Sequence, residues 1–311
     1  MVTLGLGTYR VRGSVADAVR MALAEGCPLI DTAPNYGHGT AQQQIGEVMG
    51  AGRDHGPLTV SSKVGFLTAG IRDDAQAAGV LPPQSLAGHC IQSGYLRWQL
   101  DRTLAELHAP RLGVLYLHNP DHHHDGDPGA LLGRVRAAFA ACEEAHDARL
   151  IDAYGVATWH GLAGDRRPLA FTVSDLVRTA RDVAGDAHRF GAVQLPVNLV
   201  RLSALTRAVR HGDGPLVDAE NAGIQVAVSA PLHGGELLDL VSADLAELIR
   251  PELSPAQACL LVAASAPGVS SVLVSTGDAD HWRQAADVVN TVPKLPARDL
   301  RRIVDVLDPR P

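Results

Sequence analysis

The chain has 311 residues, 46% of them hydrophobic and 20% charged, with a formal net charge of −7; it is a globular mixture whose core needs no disulfide or metal staple, and its dispersed basic residues argue against a nucleic-acid surface. No apolar run reaches the roughly 18 residues of a membrane span, and the start MVTLGLGTYR lacks the basic-then-apolar pattern of a secretory leader. Cys27, Cys90, Cys142 and Cys259 form neither a CxxC pair nor a disulfide framework, so a cytoplasmic location with no membrane or nucleic-acid partner is the expectation.

Taken in order, the chain alternates short apolar runs with amphipathic stretches. A strand at 3–6 is followed by a helical stripe of Val15, Ala16, Val19, Ala22 and Leu23. Strands at 28–32 and 59–64 come next, then a stripe of Leu96, Leu100, Leu104 and Leu107. The strand at 113–118 precedes Leu131, Val135, Ala138, Phe139 and Cys142; the strand at 152–157 precedes Leu176, Val177, Ala180 and Val183. Strands at 192–195 and 225–230 lead to Ser254-Pro255-Ala256-Gln257, a helix start with Ser as N-cap, Pro in the first turn and Gln closing a capping box. A strand at 271–275 and a stripe of Leu300, Ile303, Val304 and Leu307 complete the chain. The strands read as continuous apolar runs, as parallel strands buried on both faces do. Eight such units without a composition break predict one α/β domain over 1–311, a closed (β/α)8 or TIM barrel, with an open doubly wound sheet as the competing arrangement. Two connections, 65–89 and 231–253, are long enough to be lids or substrate walls.

A parallel barrel carries its chemistry at the C-terminal ends of its strands. There the sequence places Asp31, then Tyr36 five residues on, then Lys63, then His118. All but two of the 27 basic residues are arginine, the exceptions being Lys63 and Lys294. Arginine stays charged whereas a buried lysine shifts its pKa, so a lysine at a strand end points to a chemical need. An ammonium beside a phenol lowers the phenol pKa, a carboxylate holds the ammonium, and an imidazole donates to a carbonyl oxygen or joins a proton relay. Each residue alone has an ordinary explanation: a turn cap, a rim aromatic, a surface lysine, a satisfied strand-end histidine. Four suitable types at three successive strand ends form a specific pattern.

Asp31-Thr32-Ala33 with Tyr36-Gly37, then Lys63, then His118-Asn119-Pro120, resembles the catalytic tetrad of the aldo-keto reductase family. Gly5-Leu6-Gly7-Thr8, Tyr154-Gly155-Val156-Ala157, Gln194-Leu195-Pro196-Val197-Asn198 and Ala230-Pro231-Leu232 extend the resemblance over nearly the whole chain. It implies a barrel that binds NADP(H), or alternatively NAD(H), and transfers hydride between the nicotinamide and a small carbonyl or alcohol substrate. Tyr36 would be the general acid, Lys63 and Asp31 its tuning pair, and His118 the orienting donor. The cofactor would meet Gly7, Thr8, Thr158, Gln194, Ser229, Leu232, Ser275, Thr276, His281 and Gln284. The resemblance implies no metal, and a monomer or homo-oligomer.

The cofactor side departs from the family pattern. Ala157 and Thr158 stand where a Ser-Asn pair is usual, and Ser229 replaces a stacking tyrosine. Ser275 and His281 take the places of two cations, with Asp278 and Asp280 adding negative charge. A fork of charged hydrogen bonds to phosphate is what arginine supplies, so Arg283 or an arginine from another loop would have to compensate. A non-redox lyase or isomerase, and a nucleotide-binding regulatory module, therefore stay as alternatives. Gly5-Leu6-Gly7 is not a Rossmann fingerprint, because Arg10 sits at the third glycine position. His233-Gly234-Gly235 lacks a nucleophile elbow. The run Asp121-His122-His123-His124-Asp125-Gly126-Asp127 reads as a solvated loop bordering the active face, without zinc-like spacing. Trp159 is a candidate for the substrate wall.

Overall fold

The computed structural model describes residues 2–50, 57–81, 88–124, 126–162 and 170–308. Asp125 and parts of the 65–89 connection lie outside these residues. Eight parallel strands close in sequential order: β1 (Thr3–Gly7), β2 (Leu29–Asp31), β3 (Thr59–Val64), β4 (Leu112–His118), β5 (Ile151–Ala157), β6 (Phe190–Pro196), β7 (Gln225–Ser229) and β8 (Val269–Val274), with β8 paired to β1. This is the (β/α)8 barrel; the open sheet is ruled out by that closing pair.

Helices cover the outside. They are α1 (Val15–Ala24), α2 (Ala41–Met49), α3 (Ala69–Ala77), α4 (Ser93–Glu106), α5 (Pro128–Asp147), α6 (Val173–Ala184), α7 (Ser203–Thr206), α8 (Pro215–Asn221), α9 (Leu237–Leu240), α10 (Ala243–Ile249), α11 (Pro255–Ser265), α12 (Ala279–Asn290) and α13 (Ala297–Leu307). The capping box before α11 forms: Ser254 Oγ accepts from Gln257 N–H, and Ser254 N–H donates to the Gln257 side chain. The two long connections carry helices of their own, α3 in the first and α9 and α10 in the second. Among the described residues no helix is long and apolar enough to cross a membrane. All four cysteines are buried free thiols.

The period of two along each strand decides what faces the barrel axis. On β4, Val114, Tyr116 and His118 share the inner face, while Leu115 and Leu117 pack outward in the main core with the helices. Inside, Tyr116, Ala157 and Ala192 form a small cluster of their own. Gly155 makes room for it: a Cβ there would lie 2.9 Å from the Tyr116 ring and 2.3 Å from the Ala192 carbonyl oxygen. On β3 the same alternation sends Ser61 and Lys63 inward and turns Ser62 out, where its hydroxyl accepts from Gln42 on α2. The parallel register aligns Asp31 with Ser61, His118 with Ala157, and Ala157 with Gln194. That alignment brings the polar strand ends to one mouth of the barrel.

Candidate active site

At the floor of this mouth Lys63 Nζ lies 2.5 Å from Asp31 Oδ2 and donates to the Thr32 carbonyl oxygen at 2.9 Å. The other Asp31 oxygen accepts from Ser61 Oγ and from Gln194 Nε2, each at 2.9 Å. Both ions are buried. Burying a charge is tolerable only with this degree of pairing. Tyr36 begins a tight turn in which Gly37 and His38 adopt left-handed backbone, and that turn folds its ring back over the pair. Lys63 Nζ stands 4.8 Å from the Tyr36 ring centroid. His118 meets Tyr36 edge to face at 5.9 Å between centroids. All four residues named from the sequence thus converge.

Their electrostatics differ from the sequence expectation in one respect. Burial pushes the Tyr36 phenol well above its ordinary value, and the Asp31 charge adds to this. The Lys63 ammonium, the cation expected to ease it, is itself held by Asp31 at contact distance, and burial draws the ammonium pKa down. Burial, then the charge of Lys63, holds His118 well below the ordinary imidazole value. The site therefore presents a protonated phenol and a neutral imidazole: a proton donor and a hydrogen-bond partner for a carbonyl oxygen.

Above this floor opens a cavity of about 860 Å³. Gly7, Thr158, Gln194, Ser229, Leu232, Ser275, Thr276, His281 and Gln284 all line it. Thr8 does not: its hydroxyl is buried against the Asp31 carbonyl oxygen and Thr32 Oγ1, so it braces the β1–β2 junction. Lys63 is likewise beneath the surface, in contact with Asp31 and under the Tyr36 ring. Two of the lining groups are already engaged. Thr158 Oγ1 donates to Asp121 at 2.5 Å, and the Gln194 amide nitrogen faces Asp31. On the β8 side Asp278 caps α12, its Oδ1 accepting from the N–H groups of Asp280 and His281. Arg283 is not a substitute cation for this cavity; it is exposed and paired to Glu25 and Asp280.

Several lining residues escaped the sequence reading. Tyr9 packs on Tyr36 at 5.1 Å, and Arg10 and Arg12 follow it along the same wall. Their place in the β1–α1 turn, at the C-terminal end of β1, was the one signal the sequence offered; the structure sets that turn beside Ser275 and Gly277. Trp159 does line the cavity, with the Arg201 guanidinium 4.9 Å from its ring. The connection after β7 contributes Pro231 to Glu236, and the buried Nδ1 of His233 has no hydrogen-bond partner among the described residues. The histidine run turns elsewhere. His122, His123 and His124 face a second cavity of about 820 Å³ shared with His89 and Arg134. Among the described residues no three His, Cys, Asp or Glu side chains converge as metal ligands.

Known proteins match this architecture. A thermostable aldo-keto reductase crystallised with the inhibitor epalrestat superposes with a TM-score of 0.68 at 19% identity, covering 99% of this chain and 95% of that one. A glycerol dehydrogenase from Gluconobacter oxydans gives 0.69 at 17% identity, over 99% and 93% of the two chains. An aldo/keto reductase from Klebsiella pneumoniae in complex with NADP and acetate gives 0.66 at 18%, over 99% and 92%. No curated protein matches the sequence significantly. The sequence model of the Aldo/keto reductase family matches residues 3–247, and the chain belongs to that family of oxidoreductases.

Proposed function

We propose that the chain interconverts a carbonyl compound and its alcohol with a nicotinamide dinucleotide, Tyr36 supplying the proton and His118 orienting the carbonyl oxygen. The observation that carries this reading is the convergence of a protonated phenol, a buried ion pair and a neutral imidazole under one large cavity.

The cavity suits an extended dinucleotide. It runs from Tyr36 and His118 at one end to Thr276 and His281 at the other. Gly7, Ser229, Leu232, Ser275, Thr276, His281 and Gln284 would hold it, with Arg10 and Arg12 as the nearest cations on the cavity wall. When bound, the nicotinamide supplies or takes the hydride at carbon. The protein then has to move one proton at oxygen. The Tyr36 hydroxyl donates to the forming alkoxide, which is the stronger base, and the reverse reaction returns that proton. The Lys63 ammonium, 4.8 Å from the Tyr36 ring centroid, is a positive charge beside the phenol and limits the charge that builds there during transfer.

Fluorescence titration of the purified protein with NADPH and NADH, followed by turnover of Tyr36→Phe, tests this. The expected result is binding of at least one nucleotide by both proteins, with kcat of the variant down by roughly 10²–10⁴. Binding of neither nucleotide sinks the reading. The engagement of Thr158 and Gln194 within the protein favours, in that event, a proton-transfer enzyme without redox chemistry.

A further inference from the structure

We propose that His89 is a positioning residue for His118, locked in one tautomer by a one-way hydrogen-bond relay that starts at His123. The proposal rests on the reading of Tyr36 and His118 as the proton-transfer pair.

His89 ends the connection after β3. An antiparallel bridge to Phe66 and a 2.7 Å bond from the Cys90 N–H to the Gly65 carbonyl fasten it to the top of that strand. His89 Nε2 lies 2.6 Å from the main-chain oxygen of His118. A carbonyl oxygen only accepts, so Nε2 carries the hydrogen. The neutral ring then keeps Nδ1 as its one acceptor. Nδ1 lies 2.9 Å from His123 Nε2, so His123 is the donor. Burial, opposed by the bond to His118 and reinforced by His123 and His122, pushes the His89 pKa down to about 3, so the ring stays neutral and the direction stays fixed.

What the relay holds is the point where β4 stops. Asn119, the next residue, is left-handed at φ 50°, and its N–H turns to the Ala157 oxygen at 2.6 Å. The His118 carbonyl on the other side has left the strand ladder, and His89 supplies the donor a strand neighbour would have given. A buried carbonyl left without a donor is destabilising. The surroundings are shaped for this bond. A Cβ at Gly65 would lie 2.5 Å from His89 Nε2 and 2.7 Å from the His118 oxygen. The Phe66 ring stands edge-on to His118, His89 and His122, at 4.7, 5.1 and 5.2 Å between centroids. The imidazole that faces Tyr36 is thus held from behind on its main chain by His89 and on its ring by Phe66.

Two near-isosteric variants test the relay. The glutamine amide nitrogen reaches about as far as imidazole Nε2, and the asparagine nitrogen only as far as Nδ1. With 4-nitrobenzaldehyde as the carbonyl probe, His89→Gln should keep kcat within about threefold of the parent. His89→Asn, which leaves the His118 oxygen without its donor, should lose about tenfold or more in kcat at a temperature where both variants are fully folded by circular dichroism, with the nucleotide Kd of the two alike. Equal losses in both, or a loss in His89→Asn matched by weakened nucleotide binding, overturn the proposal. A second measurement does not depend on turnover. Long-range ¹H–¹⁵N spectra of histidine-labelled parent protein should show His89 as the Nε2–H tautomer throughout pH 5–8; an Nδ1–H tautomer, or titration near the free value of about 6.5, overturns it. A parent protein that binds nucleotide but turns over no carbonyl would sink the functional reading and leave the spectra to decide the relay.

Discussion

The ends of β2, β3 and β4 and the turn after β8 face the same cavity and are built by opposite rules. The first is buried: its charges are in contact with each other, and its phenol and imidazole are driven to their neutral forms by loss of water. The second is exposed, and its polar groups satisfy one another. Thr276 accepts from the Asp278 N–H, Asp278 accepts from Asp280 and His281, and Arg283 turns to Glu25. The contrast teaches where chemistry and selectivity reside. Proton transfer needs groups whose protonation the solvent cannot reset. The grip on one end of a nucleotide only needs charges at the surface, which salt screens and single substitutions retune.

The largest break in this comparison is expected from Lys63→Met. Removing the ammonium leaves Asp31 charged and buried, which should lower unfolding stability in denaturant by about 3–5 kcal/mol. Adding Asp31→Asn should restore much of it. If the single variant is as stable as the parent, the buried pair is not what holds the floor.

Acid should expose the same difference. His118 and His89 have folded pKa values below the unfolded value of about 6.5, so below pH 6.5 the unfolded chain binds more protons. Stability then falls as pH drops, by up to about 1.4 kcal/mol per pH unit for each histidine, with the His89 share levelling near its folded value of about 3. His89→Gln should flatten the slope measured between pH 6.5 and 4.5. Asp278, held below its ordinary value by the His281 N–H, is exposed and adds only at lower pH, as it protonates.

Smaller effects sharpen the picture. Gly65→Ala pushes a methyl between His89 and the His118 oxygen and should cost about 1–3 kcal/mol, with a loss of kcat like that of His89→Asn. On the opposite wall Asp278→Ser keeps a cap for α12 and removes a charge. It should raise affinity for NADPH relative to NADH about threefold, an advantage that shrinks with added salt, and leave kcat alone. An unchanged ratio would mean that the 2′-phosphate never approaches this turn.

Much of the fold was legible in the residues. Each of the eight apolar runs is a strand, because a strand buried on both faces must be apolar along its length. Their ends were less legible: β6 runs Phe190–Pro196 where the apolar pattern marks only 192–195, and β8 starts at Val269 where it marks 271. Pairing with neighbours extends both. The sequence reading marks no stripe for α2, α7, α8 or α12, and α3, α9 and α10 fall in connections it takes as long loops; short helices with few buried positions, such as Ile71 and Ala75 on α3, leave little periodic signal.

The sequence by itself determined the eight strands, their alternation with helices and the four residue types at three adjacent strand ends, because periodicity and strand-end position are local properties of the chain; closure of the sheet and the order of its strands came from the pairing of β8 with β1. Tertiary structure alone decided the protonation of those four residues. It raised the Tyr36 phenol through burial instead of easing it, drew Gln194 onto Asp31 from a strand far along the chain, buried Thr8 beneath the cavity, turned Arg283 to Glu25, and set His89 behind His118. Those outcomes depend on burial and on which distant group arrives first at a given atom, and closure of the barrel fixes both.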